Sequence, residues 1–292
     1  MIRILGTVFA GVLGLAFGSF LNVCLSRWPA GESVVRPRSL CRSCNRTLAW
    51  WENVPLVSWL ALRGRCRTCG AWIGWRYPLV ELTVGGLWAL AAWQAMHPTD
   101  IMDVPSERPP MVLIALFFEL LFYWFLVALA ALDAEHLWLP DWLTWPGIIL
   151  GYILFNATVD LDESAVKIGM GPYYAATSRL LEILAAAGFI LLIRWLYWLI
   201  RRREGIGLGD AKLMALLAAW LGLPGALLAF GLGVVLGALV AVVLLAIPAA
   251  RTGSSGWALR KWPLGTFLCV GGIVSSLWGQ SIIAAYRRWA GF

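Results

Sequence analysis

Composition and hydropathy point to an all-α polytopic membrane protein of about eight transmembrane helices, interrupted once by a small polar insert. Three observations carry this reading. The 292 residues are 61% hydrophobic and 13% charged, against roughly 45–50% apolar usage in soluble domains, and the mean hydropathy is +0.77. Apolar runs near the roughly 20 residues needed to cross the hydrocarbon core recur at 4–25, 79–96, 111–132, 142–158, 180–200, 211–222, 224–248 and 264–285. Between the first two runs lies an Arg- and Trp-rich stretch, so the chain divides into a first helix at 1–25, an insert at 26–78 and a helical bundle at 79–292.

The first run, Ile4 to Leu25, has no small-residue cleavage site and more spans follow it, so it reads as a retained helix and not a signal peptide. The net charge of +7 has a topological cause. Arg27, Arg36, Arg38, Arg42, Arg46, Arg63, Arg65, Arg67 and Arg76 crowd the insert against Glu32 and Glu52 alone. Basic loops stay cytoplasmic, which places the insert inside and the N-terminus outside, with no need for a nucleic-acid partner. Counting forward, 97–110 and 159–179 fall outside and carry Asp100, Asp103, Glu107, Asp160, Asp162 and Glu163. Arg201, Arg202, Arg203, Arg251, Arg260 and Lys261 fall inside. Arg287 and Arg288 fall outside, at the C-terminal end where the charge bias weighs less.

Within the spans, Glu81, Glu119, Glu182 and Arg194 are costly in lipid unless they face protein or reach an interface. Trp138, Trp142, Trp145 and Trp262 fit the aromatic belt at the membrane surface. No internal repeat is visible in the sequence.

Two CxxC pairs, Cys41-Arg-Ser-Cys44 and Cys66-Arg-Thr-Cys69, are separated by 21 residues, the spacing of a four-thiolate zinc ribbon. Disulfide pairing is the rival, and a reducing cytoplasm disfavours it. Four thiolates fill the zinc tetrahedron, so the metal would be structural, with Arg42, Arg65 and Arg67 offsetting its negative charge. Cys24 and Cys269 lie in apolar spans and read as small buried hydrophobes.

Asp133 closes the third apolar run and Asp210 opens the sixth, both at the cytoplasmic boundary. Two carboxyls packed together share a proton and activate water, which is the chemistry of an aspartic protease. Gly205, Gly207 and Gly209 clear side chains from the approach to Asp210. Helix polarity favours Asp210, at a positive helix end, as the base, and Asp133, at a negative end, as its protonated partner. Taken singly, Asp210 also reads as a helix cap and Asp133 as a polar span end. Asp141, after Pro140, reads as an N-cap, with Glu135 and His136 as hydrogen-bonding neighbours.

These residues resemble the bacterial type IV prepilin peptidases, intramembrane aspartic proteases marked by a GxGD motif. The likeness includes Gly18-Ser19-Phe20-Leu21-Asn22-Val23, then Arg27-Trp28-Pro29, the CxxC pairs, Trp51 to Trp59 in Trp-Glu-Asn-Val-Pro-Leu-Val-Ser-Trp, and Arg76-Tyr77-Pro78-Leu79-Val80-Glu81-Leu82. It implies that the catalytic pair is Asp133, which opens an Asp-x6-Pro-Asp stretch, and Asp210, which ends Gly207-Leu208-Gly209-Asp210. It further implies cleavage of type IV prepilins or secretion pseudopilins after the glycine of a short basic leader, at the cytoplasmic face of the bacterial inner membrane. Methylation of the new N-terminal residue by S-adenosylmethionine is also implied, with the insert and Gly64 linked to it. No glycine-rich loop after a strand is visible in 26–78, so methyl transfer rests on the resemblance. Two departures stand out: the first CxxC lacks a proline after its first cysteine, and the stretch from Asp133 to Asp210 is long, with 159–179 as the extra segment. Competing readings are a non-enzymatic, membrane-anchored zinc-ribbon scaffold of a pilus or secretion assembly, which would tolerate loss of both aspartates, and a carrier using Glu81, Glu119 and Glu182 as a relay.

Overall fold

A chain in lipid must satisfy its own backbone groups, and in the computed structural model the apolar runs accordingly fold as helices. The structure describes residues 1–96, 109–160, 172–203, 205, 207–246 and 262–291. In chain order the helices are α1 (Ile2–Arg27), α2 (Val57–Ala61), α3 (Arg76–Ala95), α4 (Pro109–His136), α5 (Asp141–Asp160), α6 (Pro172–Arg201), α7 (Leu208–Ala246) and α8 (Leu264–Ala290), with 3₁₀ turns at Trp28–Ala30 and Trp50–Asn53. No strand occurs among the described residues, only two isolated bridges, Leu40 with Thr47 and Arg65 with Trp72. Residues 97–108 and 161–171, which hold most of the acidic loop residues expected outside, lie beyond the described set, as do Arg251, Arg260 and Lys261.

Among the described residues, five helices are long and apolar enough to cross a membrane: Arg3–Ala30, Val112–His136, Tyr173–Arg201, Leu208–Leu244 and Leu264–Ala290. The chain is thus an integral membrane protein. The remaining expected spans are distributed differently: 79–96 and 142–158 fall in the 20-residue helices α3 and α5, while 211–222 and 224–248 are joined in α7. Contacts divide the chain into two units, Met1–Ala128 and Leu129–Phe292, the division falling within α4.

In the first unit α1 packs along α3. The backbones meet closely because the seam is lined with glycine: a Cβ on Gly14 would lie 2.9 Å from Gly85 Cα, and one on Gly18 2.8 Å from Glu81 Cα. Small residues permit such approach between membrane helices. Asn22 Nδ2 donates to Tyr77 O at 2.9 Å across the seam. At the end of α1 the buried Arg27 donates to Ser33 O at 2.8 Å and Pro37 O at 2.7 Å, folding the start of the insert back onto the helix. Glu81 accepts the Leu56 amide at 2.8 Å and so pins the residue that precedes α2.

In the second unit α7 packs against α5, α6 and α8. Its first half is buried on all sides, with Leu213, Met214, Leu216, Leu217, Ala218 and Ala219 inaccessible, as expected of a helix apolar all round. The helix breaks at Gly222, whose φ of 73° and ψ of 172° are not helical, and Pro224 follows with no N–H to continue the ladder. A pair on α6 takes up the freed backbone groups. Glu182 accepts the Leu223 amide at 3.3 Å, and Arg179 donates to Ala218 O at 3.2 Å and to Glu182 at 2.9 Å. The guanidinium also stacks 3.6 Å above the Phe155 ring. Against α8, Gly271 abuts Ala229 O, a Cβ on Gly233 would lie 3.0 Å from Phe267 O, and Ser275 donates to Gly225 O at 2.9 Å.

Candidate functional site

Asp133 and Asp210 are both buried in the second unit. Asp133 sits one turn before the end of α4, which runs on to His136 and closes where Leu137, at φ 51°, donates back to Asp133 O at 2.9 Å. Asp210 lies in the first turn of α7. Its Oδ2 accepts the Gly207 amide at 3.1 Å, so the chain before the helix wraps around the carboxylate. Asp133 Oδ2 accepts the Thr266 amide, in the first turn of α8, at 2.7 Å, and the Thr266 hydroxyl lies 3.2 Å away.

The two carboxyls are within electrostatic reach of each other, and both are within reach of the buried Cys269. Leu139 joins the two sides: its Cδ1 lies 3.1 Å from where a Cβ would stand on Gly209 and 3.1 Å from where one would stand on Gly265. A Cβ on Gly265 would also lie 3.0 Å from the Asp133 carboxyl carbon, and one on Gly207 3.4 Å from Asp210 Oδ2. Bare backbone therefore flanks both carboxylates. Gly205 has a different reason, since a Cβ there would lie 2.7 Å from the Tyr197 ring. A pair of sequestered carboxyls of this kind can share one proton and activate a water.

The neighbouring polar residues do other things. Asp141 opens α5, has a side chain 62% exposed and pairs with Lys212 of α7. His136 and Glu135 face each other at 3.8 Å on the exposed end of α4. The three glutamates of the relay reading have local partners: Leu56 N for Glu81, the Tyr123 hydroxyl at 2.7 Å for Glu119, and Arg179 with Leu223 N for Glu182. Sequence reasoning passed over Thr266, Gly265, Leu139 and Lys212. Of these only the Pro263-Leu264-Gly265-Thr266 stretch carried a signal, and it reads as an ordinary helix start.

The first unit holds the four cysteines. Cys41, Cys44, Cys66 and Cys69 place their sulfurs within 4.8 Å of one another, with Cys41 and Cys69 at 3.8 Å. Zinc at about 2.3 Å from each sulfur sets tetrahedral S–S edges of about 3.8 Å, so the donor set fits zinc. That separation is far longer than the roughly 2.05 Å of a disulfide. Two turns build the site, and they repeat in backbone as well as in their Cys-Arg-Ser/Thr-Cys sequence. In the first, Cys41 N donates to Arg46 O, Asn45 N donates to Cys41 O, and Asn45 takes φ 56°. In the second, Cys66 N donates to Ala71 O, Gly70 N donates to Cys66 O, and Gly70 takes φ 68°. The bridges Leu40 with Thr47 and Arg65 with Trp72 repeat with them. The side chains repeat as well: Arg42 and Arg67 follow the first cysteine of each turn, and the hydroxyl residues Ser43 and Thr68 precede the second.

Backbone amides lower the first thiol of each turn, whereas at Cys69 the Ala71 amide is outweighed by burial and by the sulfurs of Cys66, Cys44 and Cys41, which push the thiol up to about 11. The Cys69 amide and then that of Thr68 hold the Cys66 thiol down at about 6, and the Cys44 amide holds Cys41 below its usual value. Glu52 closes the first turn, accepting Arg46 at 2.6 Å and the Ala49 amide at 2.7 Å, and Arg46 keeps its carboxyl below the usual range. Gly64 lies buried between Trp59 and Trp72 at φ 68°, where a Cβ would come within 2.9 Å and 2.7 Å of the two rings. With no strand among the described residues, no glycine-rich strand-to-helix loop is present for S-adenosylmethionine, and no residue here is assigned to holding it.

Comparison with known proteins follows the same two-part division. The bacterial peptidase A24 N-terminal domain profile matches residues 12–95, and that of the type IV leader peptidase family matches 120–242. The chain is 33% identical to the prepilin leader peptidase/N-methyltransferase of Stutzerimonas stutzeri, over 96% of this chain and 93% of that one. It is 32% identical to the protein of that name in Pseudomonas aeruginosa, over 96% and 93%. With the protein of that name in Myxococcus xanthus it shares 40% over 76% of this chain and 58% of the relative. No solved structure matches. Buried aspartates, a four-cysteine cluster and these alignments lead to one assignment: the chain belongs to the type IV leader peptidase family.

Proposed function

We infer that this chain, like the relatives it matches, is a prepilin leader peptidase and N-methyltransferase. It cuts the short basic leader from type IV prepilins and prepilin-like pseudopilins, then methylates the new N-terminal residue. The observation that carries the peptidase half is the pair of buried aspartates flanked by bare glycine backbone.

Asp133 and Asp210 are the catalytic pair, and Gly207 and Gly209 leave room for a substrate backbone. One ionised carboxyl takes a proton from water as its oxygen attacks the scissile carbonyl, while the protonated partner gives its proton to the carbonyl oxygen. The tetrahedral diol then collapses: the C–N bond breaks, the leaving amine takes a proton, and the pair again holds one proton between them. Burial of the pair keeps bulk water out of this exchange.

Cys41, Cys44, Cys66 and Cys69 hold a structural zinc ion that orders the insert, and Gly64 belongs to the methylating half. S-adenosylmethionine supplies the methyl group. The working division is a first helix at 1–25, the insert at 26–78 and a peptidase bundle at 79–292. Counting α3, α5 and both halves of α7 gives about eight spans, and the Arg-rich insert supports an insert and active site at the cytoplasmic face of the inner membrane.

The test is cleavage of a prepilin-like substrate in membranes by wild type, Asp133→Asn and Asp210→Asn, with product mass read to one methyl group. Both variants should lose about 1000-fold or more in rate while still methylating a precut peptide. Normal cutting by both would favour the scaffold reading.

A further inference from the structure

Helix ends act on Asp133 from α4 and on Asp210 from α7. The structure brings a third helix to Asp133. The first turn of α8 meets it with the Thr266 amide at 2.7 Å, and the Thr266 hydroxyl stands between two acceptors, Ala130 O at 3.0 Å and Asp133 Oδ2 at 3.2 Å. Gly265 makes the approach possible, because a side chain there would run into the Asp133 carboxyl. A hydroxyl carries one proton and two lone pairs, so it serves this position in two ways. Turned to Asp133, it donates to an ionised carboxylate. Turned to Ala130 O, which can only accept, it offers its own oxygen to a protonated carboxyl.

We propose that the Thr266 hydroxyl is a two-way hydrogen-bond partner that positions Asp133 in both protonation states through which it passes during cleavage. The proposal rests on the peptidase reading above. Thr266 is a positioning residue: it exchanges no proton with the substrate, and rotation about a single C–O bond replaces one hydrogen bond with another. Among the described residues, the hydrogen bond shown at Asp210 comes from a backbone amide, that of Gly207, which can only donate. Holding Asp133 through both states spares the site from repacking at each proton transfer. The advantage falls on the chemical step and not on substrate affinity.

The experiment compares full-length wild type, Thr266→Val, Thr266→Ser and Asp133→Asn in membranes, measuring kcat and KM for a prepilin-like substrate and the melting temperature of each protein. Thr266→Val keeps the shape and loses the hydroxyl, and kcat should fall roughly 10- to 100-fold with KM unchanged. Thr266→Ser keeps the hydroxyl and should stay within about threefold of wild type. Wild-type kcat in Thr266→Val overturns the proposal, and so does equal impairment of the Ser and Val variants, which would mean that packing of the methyl group matters. Should Thr266→Val fail to fold, Thr266→Ala is read in the same way. Asp133→Asn separates the two levels of the argument: if it cuts at the wild-type rate the peptidase reading itself fails, whereas if it is inactive and Thr266→Val is not, only the role of Thr266 is lost.

Discussion

The cysteine cluster and the aspartate pair are built by opposite routes. All four thiols come from residues 41 to 69, and each pair is set by short backbone bonds within its own turn. The carboxylate site draws Asp133 from α4, Asp210 from α7 and Thr266 from α8, with Leu139 from the turn between α4 and α5. A turn that closes over five residues has few conformations to choose among, so spacing alone reveals it. A site assembled by helix packing depends on which faces meet, and that choice is made by small residues far along the chain. The lesson is that a local site withstands distant change but not the loss of one of its own members, whereas a packed site registers disturbance at a distance.

The largest test of this contrast is removal of one thiol. Cys66→Ser leaves three ligands for an ion whose binding in such sites is worth about 10–16 kcal/mol. Metal content of the purified protein should fall to near zero and the methyl increment on the product should vanish, with leader cleavage retained. If cleavage falls as far as methylation, the two sites do not work separately. A smaller effect is expected at Gly64, where Ala would need a left-handed φ and would press on two tryptophan rings. The cost is about 1–3 kcal/mol, read as an earlier transition in tryptophan fluorescence, with methylation impaired and cleavage kept. The smallest sharpens the other side of the comparison. Arg179→Ala leaves Glu182 alone with the Leu223 amide at the break in α7, and stability should fall by about 1–2 kcal/mol. Because α7 also carries Asp210, a modest drop in cleavage should accompany the lower melting temperature, and methylation of a precut peptide should not change.

The same contrast explains what was legible in the sequence. Apolar length located the helices, and the thiol spacing located the metal cluster, because both are local properties. The break in α7 at Gly222 falls at the expected boundary between the runs 211–222 and 224–248, and Glu182 and Arg179 satisfy its freed backbone groups from another helix. The duplicated cysteine turns show in the sequence as two Cys-Arg-Ser/Thr-Cys runs, but their matching hydrogen bonds and the positive φ at Asn45 and Gly70 belong to the backbone alone. Around the aspartates, hydropathy and family likeness singled out Asp133 and Asp210. The helix-end argument for their roles left out α8, since nothing in Pro263-Leu264-Gly265-Thr266 says which carboxylate its first turn will meet.

The seam between α7 and α8 has no clearance. Gly271 rests on the Ala229 carbonyl, and Gly233 on the backbone at Phe267. One of these helices carries Asp210, beyond the break at Gly222, and the other carries Thr266 beside Asp133, so the seam acts as a gauge block for the seating of α8. A single methyl group inserted there would be a shim, and its thickness would be passed along α8 to Thr266. The placing of Thr266 against Asp133 is thus machined at glycines further along the two helices.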